Sequence, residues 1–534
     1  MHTLIYNLKA GVWTPSDFLS FLALAVFWAM ENYFVQESAF VASPATKFPS
    51  ICRFTRLVLD LTTAMVLLLL CRRWLLIGLL CADSLLSVLI LAYSRYFRHA
   101  FSLYAGLKQL REGAQFTPFA IRFVPWPAGL MFLTLGLKIS LAFCLAPMPA
   151  EVSNWGSRLA DAGVCLVPAA LIILLLQMTS FNFRRIPELG LSRAVYAYGY
   201  FLSWIAEYFV VPDTHELKQE MVQLQFDSPD RLSATESSWG FKGHVVVVQM
   251  ESWGWNALNC KRNEQEVTPF LNQLAGKSRL FRVEAFHHVG SLDMDYAVLS
   301  GGRPSKHMIS YLVPDIPYDH ATPRFMQRHG YRTMALHGNS GEFFRRRANF
   351  QRMGFDQLYF QEDFCKGAVT RSYWGVRDVE LFRLSAQKLR QASGPEFHFI
   401  ITLDSHVPFD LISEVEKEMY PRSQSWQENY FNSLRVLDRS VCEYVKSLPA
   451  GTLVILYGDH TSGVNCDGFR SAVNGEAEYV PCLIHVCGAP RTAPAPMNGP
   501  EALPKDLCIL DVMNCLRHQV AAQKSRRLPV GIKV

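Results

Sequence analysis

The first third of the chain is a succession of apolar runs. A bilayer core takes about 20 mostly apolar residues per helix. Five windows meet or approach that length: Asp17–Phe34, Leu57–Cys71, Trp74–Tyr93, Pro127–Ala146 and Leu159–Met178. One such window reads equally well as a buried core helix. Five in succession predict a five-helix transmembrane domain over residues 1–180. The first window lacks the basic start and small-residue cleavage site of a signal peptide. Arg72 and Arg73, between the second and third windows, argue for a cytoplasmic turn and hence an external C-terminal part. The loop carrying Arg95, Arg98, Lys108, Arg111 and Arg122 argues the reverse by charge alone. Its segment YFRHAFSLYAGLKQLREG reads as an amphipathic helix lying on the bilayer. The aromatic stretch AVYAYGYFLSWIAEYFVV suits an interfacial helix, and the polar stretch Asp213–Gly243 reads as a linker. Together they make residues 181–242 an interfacial helix and linker.

From His244 the pattern changes. HVVVVQM, FHFIITL and TLVILYG are short apolar runs rich in β-branched residues, the mark of strands buried on both faces. Helical stretches such as PFLNQLAG and NYFNSLRVLDRSVCEYVKSL lie between them. Alternation of this kind predicts an α/β domain with a mostly parallel central sheet over residues 243–534.

Composition narrows the function classes. Half of the 534 residues are hydrophobic, and the net charge of +6 is too weak to argue for nucleic acid. Thirteen cysteines contain no CxxC pair; eight of them, including Cys466, lie in the α/β part. An even count permits disulfides in an exported domain, and buried free thiols are the equal alternative. The exported reading suits an oxidising periplasm.

Ligands in parallel sheets gather at the carboxyl ends of the strands. Glu251 follows the first run, Asp404, Ser405 and His406 follow the second, and Asp459 and His460 follow the third. One such acid is commonly a helix cap. Three strand ends carrying acids or imidazoles favour a divalent-metal or phosphate site, and this donor set suits Mn²⁺ or Zn²⁺. A metal beside a hydroxyl activates it as a nucleophile. GSLDMDY supplies such a hydroxyl, Ser291, although Gly-Ser before Asp is also common turn chemistry.

These residues together resemble the lipoteichoic acid synthase family, phosphoglycerol transferases of the alkaline phosphatase and sulfatase superfamily. The resemblance covers the membrane part in architecture and roughly Gly243 to His518 in local motifs. By it, Ser291 in Ser291-Leu292-Asp293-Met294-Asp295-Tyr296 takes the place of a threonine nucleophile. Glu251, Ser291, Asp459 and His460 become the metal ligands. HGNSGEFFRRRANFQRMGFD supplies Phe344, in place of a tryptophan, and Arg346 for the headgroup; His406 falls near the phosphate. LCILDVMNCL resembles the strand and helix that close the fold. Asp293 and Asp295 are expected to act behind the ligands, and no role is assigned to His287, His288 or His337.

The resemblance implies a metal-dependent membrane enzyme with one Mn²⁺ or Zn²⁺ ion, Mg²⁺ being a third candidate. It would move phosphoglycerol or a related headgroup from a membrane phospholipid to an envelope glycan or lipid acceptor through a phospho-serine intermediate. The expected setting is a bacterial inner membrane, with the catalytic domain on the outer side. A phosphoethanolamine transferase or a metal-dependent phosphodiesterase of the same superfamily fits the same residues. A sulfatase proper does not, since Asp293 and Asp295 stand where its formylglycine motif has Pro and Arg. A silent membrane scaffold would be the reading had a ligand been missing.

Overall fold

The structure, a computed structural model, describes residues 14–41, 50–97, 100–103, 127–144, 155–177, 191–210, 214–224, 239–288, 290–306, 308–365, 367–462, 478–489 and 507–527. Most of the basic loop read as an amphipathic surface helix lies outside them, as does Cys466. The chain divides into two compact units, Met1–Val211 with Val473–Gly475, and Pro212–Ala472 with Glu476–Val534.

In the first unit a helix forms at each of the five apolar windows. They are α1 (Pro15–Val41), α2 (Ser50–Leu70), α3 (Arg73–Phe97), α4 (Pro127–Cys144) and α5 (Trp155–Gln177). Three of these helices, over Pro15–Ser38, Arg73–Ser94 and Arg158–Leu176, are long and apolar enough to cross a membrane. Among the described residues, three of the five expected spans thus meet the length and composition of a membrane crossing. Helix α2 carries Arg53, Arg56 and Asp60 in its first half, and α4 is short. Several charges inside the bundle are paired, which favours such groups away from water. Arg56 meets Glu37 of α1, and the Lys138 ammonium of α4 lies 2.7 Å from Glu31. The aromatic stretch forms α6 (Leu191–Val210), whose Tyr196 and Tyr198 pack against Cys52 and Leu176.

In the second unit the polar stretch read as a linker contains a helix, α7 (Thr214–Leu224). Its Leu217 and Met221, one turn apart, are buried with Trp239 and Phe241 in the α/β core. The sheet has seven strands: β1 (Val245–Met250), β2 (Arg279–Glu284), β3 (Arg332–His337), β4 (Gln357–Tyr359), β5 (Glu396–Ile401), β6 (Leu453–Gly458) and β7 (Tyr479–Val486). Their spatial order is β2-β7-β6-β1-β5-β3-β4, with β6, β1, β5, β3 and β4 parallel and β7 antiparallel to both neighbours. The expected mostly parallel sheet is therefore present. Its two faces are covered by separate apolar cores. Around it lie α8 (Pro269–Ala275), α9 (Leu292–Ser300), α10 (Thr322–Arg328), α11 (Arg346–Met353), α12 (Asp378–Gln391), α13 (Trp426–Ser447) and α14 (Ile509–Arg527). The closing segment is helix from Ile509 onward, with one isolated bridge, Glu284 to Cys508, in place of the expected strand. The described cysteines are all free thiols; in the α/β part Cys260, Cys482, Cys487, Cys508 and Cys515 are buried, Cys442 is half-buried and Cys365 is exposed.

Register places the chemistry. Met250 pairs with Gly458, and Ile401 pairs with both Gln249 and His337. The carboxyl ends of β6, β1, β5 and β3 therefore lie side by side. A Cβ on Gly458 would stand 1.9 Å from the Trp253 carbonyl oxygen, so only glycine allows the chain after β1 to close over the end of β6. Gly458→Ala is expected to cost at least about 2–3 kcal/mol, measured as a lowered midpoint of thermal unfolding of the full-length protein.

Candidate active site

Glu251 follows β1 directly. Its backbone N–H donates to Thr402 Oγ1 at 2.9 Å and its carbonyl accepts from Ser405 Oγ at 2.6 Å, so the end of β5 fixes it. Ser252 adopts a left-handed conformation, φ 56°, that costs a non-glycine residue about 1–3 kcal/mol. The conformation turns both polar groups of Ser252 inward. Its N–H donates to Asp459 Oδ1 at 2.8 Å and its hydroxyl to Glu251 Oε1 at 2.9 Å. Tyr430 of α13 donates to its carbonyl at 2.9 Å.

Asp459 and His460 follow β6. Ligand atoms of Glu251, Asp459 and His460 lie within 4.8 Å of one another. Asp459 Oδ2 is buried without a hydrogen-bond partner. His460 Nδ1 faces the Thr461 carbonyl at 2.8 Å and must donate to it, since a carbonyl only accepts. Nε2 then faces Glu251 Oε1 at 3.3 Å and Ser291 Oγ at 3.1 Å. Burial, and then the Glu251 carboxylate, push Asp459 well above the usual carboxylate range. Burial works the same way on Glu251, but His406, His460 and the Ser252 hydroxyl overcome it and hold that carboxyl low. Burial disfavours a charged His460, yet Asp459 and Glu251 raise it well above its ordinary value. Two buried carboxylates with one orphan oxygen and an imidazole thus call for positive charge. The donor set fits one divalent cation such as Mn²⁺ or Zn²⁺, with Glu251, Asp459, His460 and the Ser291 hydroxyl to hold it.

Ser291 comes from the turn before α9. Its side chain makes no cap bond to the helix. Its Oγ is directed instead at His460 and, at 3.4 Å, at Glu251 Oε2. Its carbonyl accepts from Gln249 of β1 at 3.2 Å. Asp293 shapes the turn by accepting the His288 N–H at 2.7 Å and the Gly290 N–H at 3.4 Å. An ordinary turn serine would use its hydroxyl on the local backbone; here Asp293 does that work.

Asp295, one turn along α9, meets Arg346 at the start of α11. Arg346 Nε and Nη2 both approach Asp295 Oδ2, at 2.9 and 2.8 Å. Tyr311 donates a short hydrogen bond to Asp295 Oδ1. Nη1 faces His337 Nε2 at 3.5 Å, while His337 Nδ1 lies 3.2 Å from the Ile401 carbonyl. Burial, and then Arg346, push His337 down to about 3, so it is a neutral acceptor. A bidentate phosphate clamp through the Nε–Nη2 edge of Arg346 is thereby precluded, because Asp295 occupies that edge. Phe344 is half-buried, with its ring 5.6 Å from the Arg346 guanidinium. His406 is half-buried, with Nδ1 2.7 Å from the Val407 carbonyl and its ring 4.7 Å from that of Trp374.

The structure thus brings Glu251, Ser291, Asp459 and His460 into one cluster. Arg346 and Phe344 stand together on a neighbouring strand end, and His406 is near enough to Glu251 to act on its charge. Asp404 stands apart, paired with Arg377 at 2.7 Å. Sequence reasoning missed Glu478 and gave His287 no role. Their side chains meet at 2.9 Å, and the His287 ring stacks on His460 at 4.3 Å between centroids. No motif surrounds Glu478; an acid just before a strand is the only sign of it.

Asp295→Ala leaves Arg346 as an unpaired buried charge and is expected to destabilise the domain by about 3–5 kcal/mol, read from urea unfolding. His337 has its folded pKa below its ordinary value, so the unfolded chain takes up the proton first. Its contribution to stability is full above about pH 6.5 and falls as pH drops toward 3. His337→Gln is expected to show a shallower loss of unfolding midpoint between pH 6.5 and 4.

Residues 243–498 match the sulfatase family model. A lipoteichoic acid synthase-like protein of Bacillus subtilis, YvgJ, is 23% identical over 347 residues, covering 61% of this chain and 54% of that protein. The lipoteichoic acid synthase of Staphylococcus saprophyticus is 28% identical over 232 residues, 41% of this chain and 36% of that protein. The matches thus span about half of the first relative and about a third of the second. Among solved structures, the integral membrane protein lipooligosaccharide phosphoethanolamine transferase A of Neisseria meningitidis has a TM-score of 0.53 at 14% identity. It covers 94% of this chain and 92% of its own. That likeness extends the shared fold over both units. Residues 243–498 thus form a sulfatase-like domain, carried in a chain similar to the lipoteichoic acid synthases.

Proposed function

We propose that this protein is a membrane-anchored phosphotransferase that moves a phosphorylated lipid headgroup, phosphoglycerol first, onto an envelope glycan or lipid acceptor. The observation that carries the reading is the Ser291 hydroxyl. It is unused by its own helix and stands 3.1 Å from His460 and 3.4 Å from Glu251, in a cluster whose donor set fits a cation. Ser291 Oγ attacks phosphorus, the bond from phosphorus to the diacylglycerol oxygen breaks, and diacylglycerol leaves with a proton. The headgroup is held as a phosphodiester on Ser291. An acceptor hydroxyl then attacks phosphorus, loses its proton, and Ser291 departs with one. A bound divalent ion, Mn²⁺ or Zn²⁺, would lower the hydroxyl pKa and neutralise phosphate charge.

The remaining residues have definite parts. Ser252 fixes the two carboxylates. Arg346 offers its Nη1–Nη2 edge to phosphate, and Phe344 packs beside it. In this reading His406 gives the leaving oxygen its proton or stabilises the charge there. The three apolar helices support anchoring in a bacterial inner membrane, where a donor with two acyl chains is confined to the same surface and effective concentration rises. The outer face of that membrane suits a reaction that uses no nucleotide. The relatives named for lipoteichoic acid synthesis support phosphoglycerol, and the neighbour named for phosphoethanolamine transfer makes that headgroup the second reading.

The test is full-length protein in mixed vesicles with Mn²⁺ and labelled phosphatidylglycerol or phosphatidylethanolamine, following diacylglycerol release. Release from phosphatidylglycerol, reduced by at least about 1,000-fold in Ser291→Ala, is the expected result. Release from phosphatidylethanolamine alone would select the second headgroup. Unchanged release in Ser291→Ala would remove the serine from the chemistry.

A further inference from the structure

His460 is gripped from a side that none of the candidate ligands supplies. Its ring lies against that of His287, with centroids 4.3 Å apart and an angle of 9° between planes. His287 Nδ1 is 2.9 Å from Glu478 Oε1. Glu478 Oε2 accepts from the Thr461 N–H at 2.9 Å and from the Thr461 hydroxyl at 3.0 Å. Thr461 in turn offers its carbonyl to His460 Nδ1 at 2.8 Å. Glu478 therefore holds the backbone that fixes the proton of His460, and it also holds the ring that His460 stacks on. The Glu478 backbone is itself tied down, since its carbonyl accepts from the Ala285 N–H at 2.8 Å.

His287, His460 and Glu478 also have ligand atoms within 4.8 Å of one another, the spacing of an ion site. Ring geometry argues against that use. An ion must lie close to the plane of each imidazole that binds it, and two stacked, parallel rings share no such plane. His460 has one nitrogen on the Thr461 carbonyl and the other facing Glu251 and Ser291. The cluster is better suited to aim His460 than to hold a second ion.

We propose that His287 and Glu478 are positioning residues that lock the ring and tautomer of His460, and so set the affinity of the Glu251, Asp459 and His460 cluster for its divalent ion. The inference rests on that cluster being an ion site, as in the proposed function. Partners that orient a ligating histidine typically change metal affinity by about 10–100-fold. Stacking and hydrogen bonding contribute separately, and substitution can separate them. His287→Phe keeps a flat ring against His460 but loses the bond to Glu478. His287→Ala loses both. Glu478→Gln keeps an acceptor for Thr461 and turns an NH₂ group toward His287.

The experiment is calorimetric titration of Mn²⁺ and, separately, Zn²⁺ into the full-length protein stripped of metal. Asp459→Asn serves as the control for the cluster, and unfolding midpoints serve as the control for the fold. Glu478→Gln and His287→Ala are expected to bind the ion about 10–100-fold more weakly, with His287→Phe recovering part of the loss. Wild-type affinity in both Glu478→Gln and His287→Ala, with Asp459→Asn impaired, would overturn the positioning role and leave the cluster standing. Loss of binding in Glu478→Gln with none in Asp459→Asn would overturn it in favour of an ion at His287 and Glu478. No binding by the wild-type protein would overturn both this inference and the ion site beneath it.

Discussion

Two carboxylates are buried side by side, and much of the second unit can be understood as the means of keeping them there. Parallel pairing of β1 with β6 ends at Met250 and Gly458, so the next residue on each strand is an acid, Glu251 or Asp459. The absence of a side chain at Gly458 lets the Trp253 carbonyl close over the strand end. Left alone, two like charges in a dry interior would not both stay ionised. Ser252 and His460 supply hydrogen bonds and positive charge, and the orphan oxygen of Asp459 marks where they are insufficient. The left-handed backbone at Ser252 follows from the same need, because it is how one residue can serve both acids.

The hydroxyl at Ser291 is governed by a different economy of hydrogen bonds. A serine at the start of a helix ordinarily satisfies a backbone N–H of the first turn. Asp293 satisfies the amides of the preceding turn, and Gln249 holds the Ser291 carbonyl. With those groups satisfied, the Ser291 side chain is directed to the acids and to His460. Two residues that carry no chemistry themselves decide that a third can.

The central strands were legible because strands buried on both faces are continuous apolar runs, and acids and histidines stand just beyond them. Strand β7 was not legible. Pro481 stands in its interior and removes a ladder donor, which reads against an interior strand. Glu478 was lost with it, since it acts across the sheet on residues remote in sequence. The pairing of Arg346 with Asp295 was hidden for the same reason: 51 positions separate them, and no periodicity connects α9 to α11. All five windows were legible as helices, whereas the partners of Arg53, Arg56 and Asp60 were not, because those charges find partners only in the packed bundle. The helix within the polar stretch was missed because two apolar residues a turn apart, Leu217 and Met221, are too few to stand out by period.

The Asp295–Arg346 pair has a consequence for evolution. It ties the helix that begins beside Ser291 to the helix that begins with Arg346. Loss of either charge alone strands the other in a dry interior, so neither position can drift independently. Among related proteins, positions 295 and 346 should therefore change together or not at all, whereas Phe344, which is half-buried and bears no charge, is freer to vary.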